Sequence, residues 1–267
     1  MDNKNQEFNG ASKMPSFKRF EQVFAQFAEQ VGGAFSVKAG LDERDAVGIQ
    51  SDFTKWFMGS FINPDKPSNM PSLGDLVEYA YVKSNFRTWN IEFRAMLTKT
   101  QSYDSAEVQV SCPILKKKDI RFELQRKTGN SKLPGKNKPL NVQKWLGFFL
   151  PYRILKSRGT RLGQPHILSF QDTALQNSFI ATCNDQGDGE KLVQDPLFQK
   201  CLREYRSFDY LEIGYLDWVG KDKCHILEVK TSIGLSFGVQ PLSEALELAK
   251  TCLTLLEEFN VLTENAD

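Results

Sequence analysis

Histidine is nearly absent from this sequence: His166 and His225 are the two among 267 residues. A structural zinc site needs clustered Cys and His. The five cysteines, Cys112, Cys183, Cys201, Cys224 and Cys252, are scattered, odd in number and never spaced as C-x-x-C. Each sits in or beside apolar residues, the setting of buried reduced thiols in a cytosolic protein rather than of a disulfide framework. Neither histidine lies near an evident nucleophile, so a Ser-His or Cys-His apparatus is not expected. G-x-x-x-x-G-K-[ST] and G-x-G-x-x-G patterns are missing, which removes the common phosphate-cradling loops. Long apolar runs are missing too. The longest candidate, WLGFFLPYRIL at 145–155, carries Pro151 and Arg153 and falls short of the roughly 18–20 residues a membrane span requires. The opening MDNKNQEFNGASKMP has no apolar h-region and reads as a flexible tail, not a signal peptide.

What is present is an ordinary globular composition, 40% hydrophobic and 25% charged with a formal net charge of +1. That is enough for one sizeable core or two small ones. Phe17, Phe20, Phe24, Phe27 and Val31 recur at three- and four-residue steps after Ser16, and Gly32-Gly33 stops the pattern, which predicts an amphipathic helix. The texture then turns to β. AFSVK, LVEYAYV, RTWNIEFRAML, SAEVQVSCPIL and DIRFELQR are separated by polar turns, and Trp89, Ile91, Phe93 and Ala95 fall on one face. This is the signature of an antiparallel meander with one wet side. Further on, NSFIATCND reads as a short buried strand ending at Asn184-Asp185, and GDGE at 187–190 as a turn. GEKLVQDPLFQKCLREY reads as a helix interrupted at Asp195-Pro196. DYLEIGYLDW and CHILEVKTS form a hairpin about 219–221. PLSEALELAKTCLTLLEEFN is a helix begun by Pro241 or Ser243, with Leu242, Leu246, Ala249, Leu253 and Leu256 on one face.

The hairpin's register follows from its pattern. Leu211, Ile213 and Tyr215 should share the buried face with His225, Leu227 and Val229, which sets 213 opposite 227, 212 opposite 228 and 210 opposite 230. Glu212, Glu228 and Lys230 then share the other face. Two neighbouring carboxylates can hold a divalent metal and a lysine beside them can orient a water. Glu228-Val229-Lys230 resembles the E-x-K strand of the PD-(D/E)XK nuclease superfamily, a likeness confined to this hairpin at 209–231. It implies a Mg-dependent nuclease with Glu212 and Glu228 on the metal and Glu212, Glu228 and Lys230 as the catalytic set. The sequence departs from that pattern. Asp209 follows Phe208 rather than a proline, Asp217 is about 16 Å along the strand from the residue opposite Glu228, and no strand is expected after the last helix. The alternative is a solvated face on which the three charges neutralise one another, worth about 0–1 kcal/mol per exposed pair.

The last 100 or so residues also resemble an uncharacterised bacterial domain-of-unknown-function family. The likeness rests on an order of signals: Leu175-Gln176-Asn177-Ser178-Phe179 where that family has F-D-x-x-F at a strand, then Asn184-Asp185, the DPLFQKCL helix, the YLEIGYLDW hairpin and the LELAKTCLTLLEEFN helix. Leu-Gln stands in place of Phe-Asp. The resemblance implies an α+β fold and no known activity.

Charge is unevenly spread. Between Lys116 and Arg161 there are fourteen Lys and Arg against Asp119 and Glu123, whereas from Asp172 onward seventeen acidic residues face eight basic ones. Three readings fit: the basic stretch lies against the protein's own acidic C-terminal part; it holds an anionic macromolecule, nucleic acid or acidic protein; or Trp145, Phe148, Phe149 and Tyr152, flanked by Lys144, Arg153, Lys156 and Arg158, contact a membrane surface through 144–158.

The expectation is therefore an α+β cytoplasmic protein: a tail at 1–15, a helix plus antiparallel β-rich module at 16–128, a basic and aromatic connecting segment at 129–172, and a strand–helix–hairpin–helix module at 173–262. Its expected function is non-catalytic, that of an adaptor binding an anionic partner through Lys116, Lys117, Lys118, Arg126, Lys127, Lys136 and Lys138. No cofactor is expected unless the nuclease alternative brings Mg.

Overall fold

The computed structural model describes residues 16–40, 77–98, 105–127, 166–205, 207–219, 222–234 and 238–262. The tail, the loop at 128–139 and the stretch at 144–158, with Lys136 and Lys138, lie outside them. The fold is α+β: an N-terminal helix, a nine-stranded antiparallel sheet and a C-terminal helix, with short helices between.

Helix α1 (Ser16–Val31) buries Phe20, Phe24 and Phe27 completely. Phe27 meets Phe93 edge-on with ring centroids 4.7 Å apart. Each such ring contributes about 1.5–3 kcal/mol by leaving water, so this stripe fixes the helix on the sheet. The helix ends where expected. Gly32 takes φ +62°, and Gly33 donates to the Ala28 carbonyl at 2.8 Å. A Cβ on Gly33 would sit 2.6 Å from the Lys83 carbonyl.

The strands are β1 (Ala34–Ala39), β2 (Val77–Phe86), β3 (Trp89–Thr98), β4 (Ser105–Ile114) and β5 (Phe122–Arg126). Strand β6 (His166–Leu168) precedes helix α2 (Thr173–Ser178) and β7 (Phe179–Cys183). Helices α3 (Gln186–Gln194) and α4 (Pro196–Glu204) follow, then β8 (Phe208–Val219), β9 (Asp222–Gly234) and α5 (Gln240–Glu258). Spatial order is β1-β2-β3-β4-β9-β8-β5-β7-β6. The late hairpin β8–β9 is thus inserted between β4 and β5, so front strands and C-terminal strands share one sheet.

Alternation decides the faces. Ala80, Val82, Trp89, Ile91, Phe93, Ala95, Val108, Val110, Phe122, Leu124, Leu211, Ile213, Leu227 and Val229 are all buried in one core. Helix α5 covers this core against β4, β8 and β9, burying Leu242, Leu246, Ala249, Leu253 and Leu256. Glu257 of α5 accepts from Trp89 Nε1 at 2.8 Å and pairs with Arg87, anchoring the helix end to the β2–β3 turn. The α3–α4 break falls at Asp195-Pro196. Asp195 caps α4 by accepting from the Leu197 and Phe198 amides, and Pro196 occupies the first turn, where its missing N–H costs nothing.

Two local expectations are corrected. Residues 187–190 belong to α3 rather than to a turn, because the Asp185 side chain caps that helix from the Asp188 amide. Its glycine at 189 is there for space: a Cβ would come within 2.7 Å of Cys183 and Leu168. The strand expected from residue 177 starts at Phe179, since residues 173–178 form α2, capped by Asp172.

Candidate functional site

The hairpin register is the expected one across its lower half: Tyr210 opposes Lys230, Leu211 opposes Val229, Glu212 opposes Glu228 and Ile213 opposes Leu227. A bulge at Gly214 then shifts it. Leu216, not Tyr215, opposes His225, which corrects the expected upper register. Gly214 is required there, with φ +79° and a hypothetical Cβ only 1.9 Å from the Ile120 carbonyl. His225 is half-buried, and its Nδ1 lies 3.0 Å from the Gly214 carbonyl. Burial, then the nearby Lys116 charge, hold its pKa below the ordinary value.

The face opposite the helices carries a polar row across five strands. Glu123 of β5 opposes Glu212 of β8, which opposes Glu228 of β9, which opposes Ser111 of β4, which opposes Glu92 of β3. One step along runs Gln125, Tyr210, Lys230, Gln109 and Arg94. The two facing carboxyls are not solvated charges. Glu228 is 3% exposed and Glu212 8%, which contradicts the open, neutralised face weighed from the sequence. Glu228 accepts from Gln109 Nε2 at 2.6 Å and pairs with Lys230 Nζ at 3.4 Å. Glu212 accepts from the Tyr210 hydroxyl at 3.1 Å. Lys230 also stands 5.6 Å from the Tyr210 ring centre.

Burial pushes the Glu212 carboxyl up to about 8, reinforced by the charges of Glu228 and Glu123 and opposed by Tyr210 and Lys230. Desolvation also raises the Tyr210 hydroxyl. Two buried carboxyls side by side, one of them raised, suit either a shared proton or a bound cation that would itself lower the pKa. Among the described residues no group of three His, Cys, Asp or Glu side chains is placed to hold a metal ion. Asp209, near the position of the nuclease acid, instead accepts from Ser232 Oγ at 2.9 Å.

Sequence patterning does not single out Glu123 and Gln109. Nothing local marks them; they join the site through non-neighbouring strand pairs.

The basic candidates meet elsewhere, mostly on their own chain. Lys116 is buried and donates to Asp119 at 2.8 Å, the Gly214 carbonyl at 2.9 Å and the Ile120 carbonyl at 3.2 Å. Burial lowers its pKa. Lys117 donates to Asn260 Oδ1 at 3.0 Å, and Lys118 lies 3.5 Å from Asp188. Arg126 donates to the Phe208 and Tyr205 carbonyls, each at 3.0 Å, and covers the Phe179 and Phe208 rings. Lys127 donates to the Gln176 carbonyl at 2.6 Å. Lys116, Arg126 and Lys127 thus serve the fold, while Lys117 and Lys118 are exposed with surface contacts. No helix among the described residues is long and apolar enough to cross a membrane.

Comparison with family models, with curated proteins and with solved structures gives no match for this chain.

Proposed function

We propose that this is a non-catalytic binding protein that holds an anionic macromolecule, nucleic acid or an acidic protein, through the basic segment between β5 and β6. One observation carries the reading. Residues 128–161 contain eight Lys and Arg, Lys136 and Lys138 among them, and no acidic residue. Of the flanking cations, Lys116, Arg126 and Lys127 are taken up by internal carbonyls, while Lys117 and Lys118 are exposed and can add to the charge of this segment. Affinity of this kind is sequence-blind and salt-sensitive. The test is retention of duplex DNA, and separately of an acidic polypeptide, by the wild type and by a variant carrying Lys132→Glu, Lys136→Glu, Lys138→Glu and Lys144→Glu. Retention should be lost with the melting midpoint unchanged to within about 2 °C. Undiminished retention by the variant overturns the reading.

A Mg-dependent nuclease ranks second. It is favoured by the side-by-side Glu212 and Glu228, with Lys230 against Glu228. It is disfavoured by the short supply of converging ligands among the described residues. The likeness to the bacterial domain family belongs with the proposal as well, supported by the order of β7, helix, hairpin and α5. A reducing, cytoplasmic setting is supported by Cys112, Cys183, Cys201 and Cys252, all free and buried.

A further inference from the structure

We propose that the outer edge of β1 is a self-association surface, on which a second copy of this chain pairs antiparallel about a two-fold axis through Ser36 and so continues the sheet. The two ends of the sheet differ. One is β6, three residues long, and so short an edge strand offers little to another chain. The other is β1, six residues long and exposed at every one of them. Among the described strands, β2 is its one neighbour. The two match one to one from Ala34 opposite Lys83 to Ala39 opposite Glu78, with no bulge to twist the edge away. Strand β1 holds no proline, and Lys38 is its one charged residue. One edge of the sheet is thus blunted and the other is left fit for pairing.

The order of residues in β1 selects the occupant. Phe35 opposes Val82 and Val37 opposes Ala80, so both lie on the face that carries the core. They remain 37% and 41% exposed, an apolar end of the core row left in water. Residues directly opposite in an antiparallel pair share a face, and a slip of one residue reverses every side chain. Pairing Ser36 with Ser36 of the second copy keeps the faces in step. Phe35 of each copy then meets Val37 of the other, an aromatic against a β-branched side chain. Each Lys38 meets Ala34 of the other copy, so no like charges stand opposite each other. One strand therefore supplies both halves of a complementary ladder, as a two-fold interface requires. Its extent is small. Six residues span about 20 Å, and an edge contact of that length falls short of the roughly 1,200 Å² that stable interfaces bury. The dimer is accordingly weak and concentration-dependent, not obligate.

Sedimentation equilibrium of the full chain between about 5 and 500 µM tests this. The apparent mass of the wild type should climb from that of the monomer toward twice it. Phe35→Lys with Val37→Lys sets like charges opposite across the junction. That variant should stay monomeric throughout, with its melting midpoint within about 2 °C of wild type. Phe35→Glu with Val37→Lys sets opposite charges there and should recover association, more strongly at low salt. A wild type that stays monomeric at every concentration overturns the proposal, whether its edge is free or filled by other residues of its own chain. So does association undiminished in the like-charge variant, or no recovery in the opposite-charge one. Cross-linking is an independent test should a charged variant fail to fold. Ser36→Cys, on the two-fold axis, should give a disulfide-linked dimer under mild oxidation above the wild-type background, whereas Ala34→Cys, opposite Lys38, should not. Equal cross-linking of the two, or none in either, overturns the proposal. No measurement here involves an anionic partner, so failure leaves the binding proposal standing.

Discussion

Glu212 and Glu228 stand directly opposite each other on β8 and β9, and both are buried. Two like charges in that position repel in a medium that screens them poorly, so the pair is stable when one of them holds a proton. Glu212, with Glu123 on its other flank, is the one whose carboxyl burial pushes up to about 8.

Stability should therefore fall as pH rises from the ordinary carboxylate range toward about 8. The folded state keeps a proton on Glu212 up to about 8, whereas the unfolded chain releases it near 4.5. The contribution is complete below the unfolded value and lost as pH climbs through the folded one. Replacing Glu212 with Gln should raise stability at pH 8.5 by an amount on the order of a few kcal/mol, and the gain should shrink toward pH 5. Calorimetry across that range checks it.

His225 works in the opposite sense. Its pKa is held down by burial and by Lys116, so its contribution is complete above the ordinary 6.5 and is lost as pH falls below that. His225→Gln should blunt the loss of stability on the acid side while leaving the alkaline side as in wild type.

Gly214 should tolerate no side chain. A Cβ there meets the Ile120 carbonyl, and the backbone is left-handed. Gly214→Ala is expected to cost about 2–3 kcal/mol or more in chemical denaturation.

The docked cations should behave as parts of the fold. Lys116→Met removes donors from the Gly214 and Ile120 carbonyls, which is expected to cost about 1–3 kcal/mol while leaving retention of an anionic polymer intact. Loss of retention with unchanged stability would reverse that assignment.

Supercoiled plasmid incubated with the protein and Mg or Mn should stay intact. Cleavage that disappears in Glu228→Ala would raise the nuclease reading above the binding one.

Much of this molecule is written locally. The α1 stripe, the break at Asp195-Pro196 and the α5 face follow from spacing and capping. The lower hairpin register follows from the alternation of Leu211, Ile213, Leu227 and Val229. Three things are not local. Insertion of β8–β9 between β4 and β5 is a pairing choice made across more than a hundred residues, which no window of sequence contains. That choice brings Gln109 and Glu123 to the hairpin and helps turn an apparently wet face into a buried one. The third is the close approach that makes Gly189 a helix residue, visible only once Cys183 and Leu168 are beneath it. The basic candidates teach a related lesson: a run of lysines tells the sign of the charge but not where each chain end goes. Lys116, with its carbonyl ligands 98 and four residues away, is a structural cation despite standing first in a Lys-Lys-Lys run.

The most direct measurement is the salt dependence of duplex DNA binding by the wild type and by the Lys132, Lys136, Lys138 and Lys144 charge-reversal variant. The account predicts wild-type affinity that falls steeply with salt, with a log–log slope reflecting about 0.9 per phosphate neutralised, and a variant that has lost most of that affinity at equal stability. Equal affinities and equal slopes for the two proteins would contradict it.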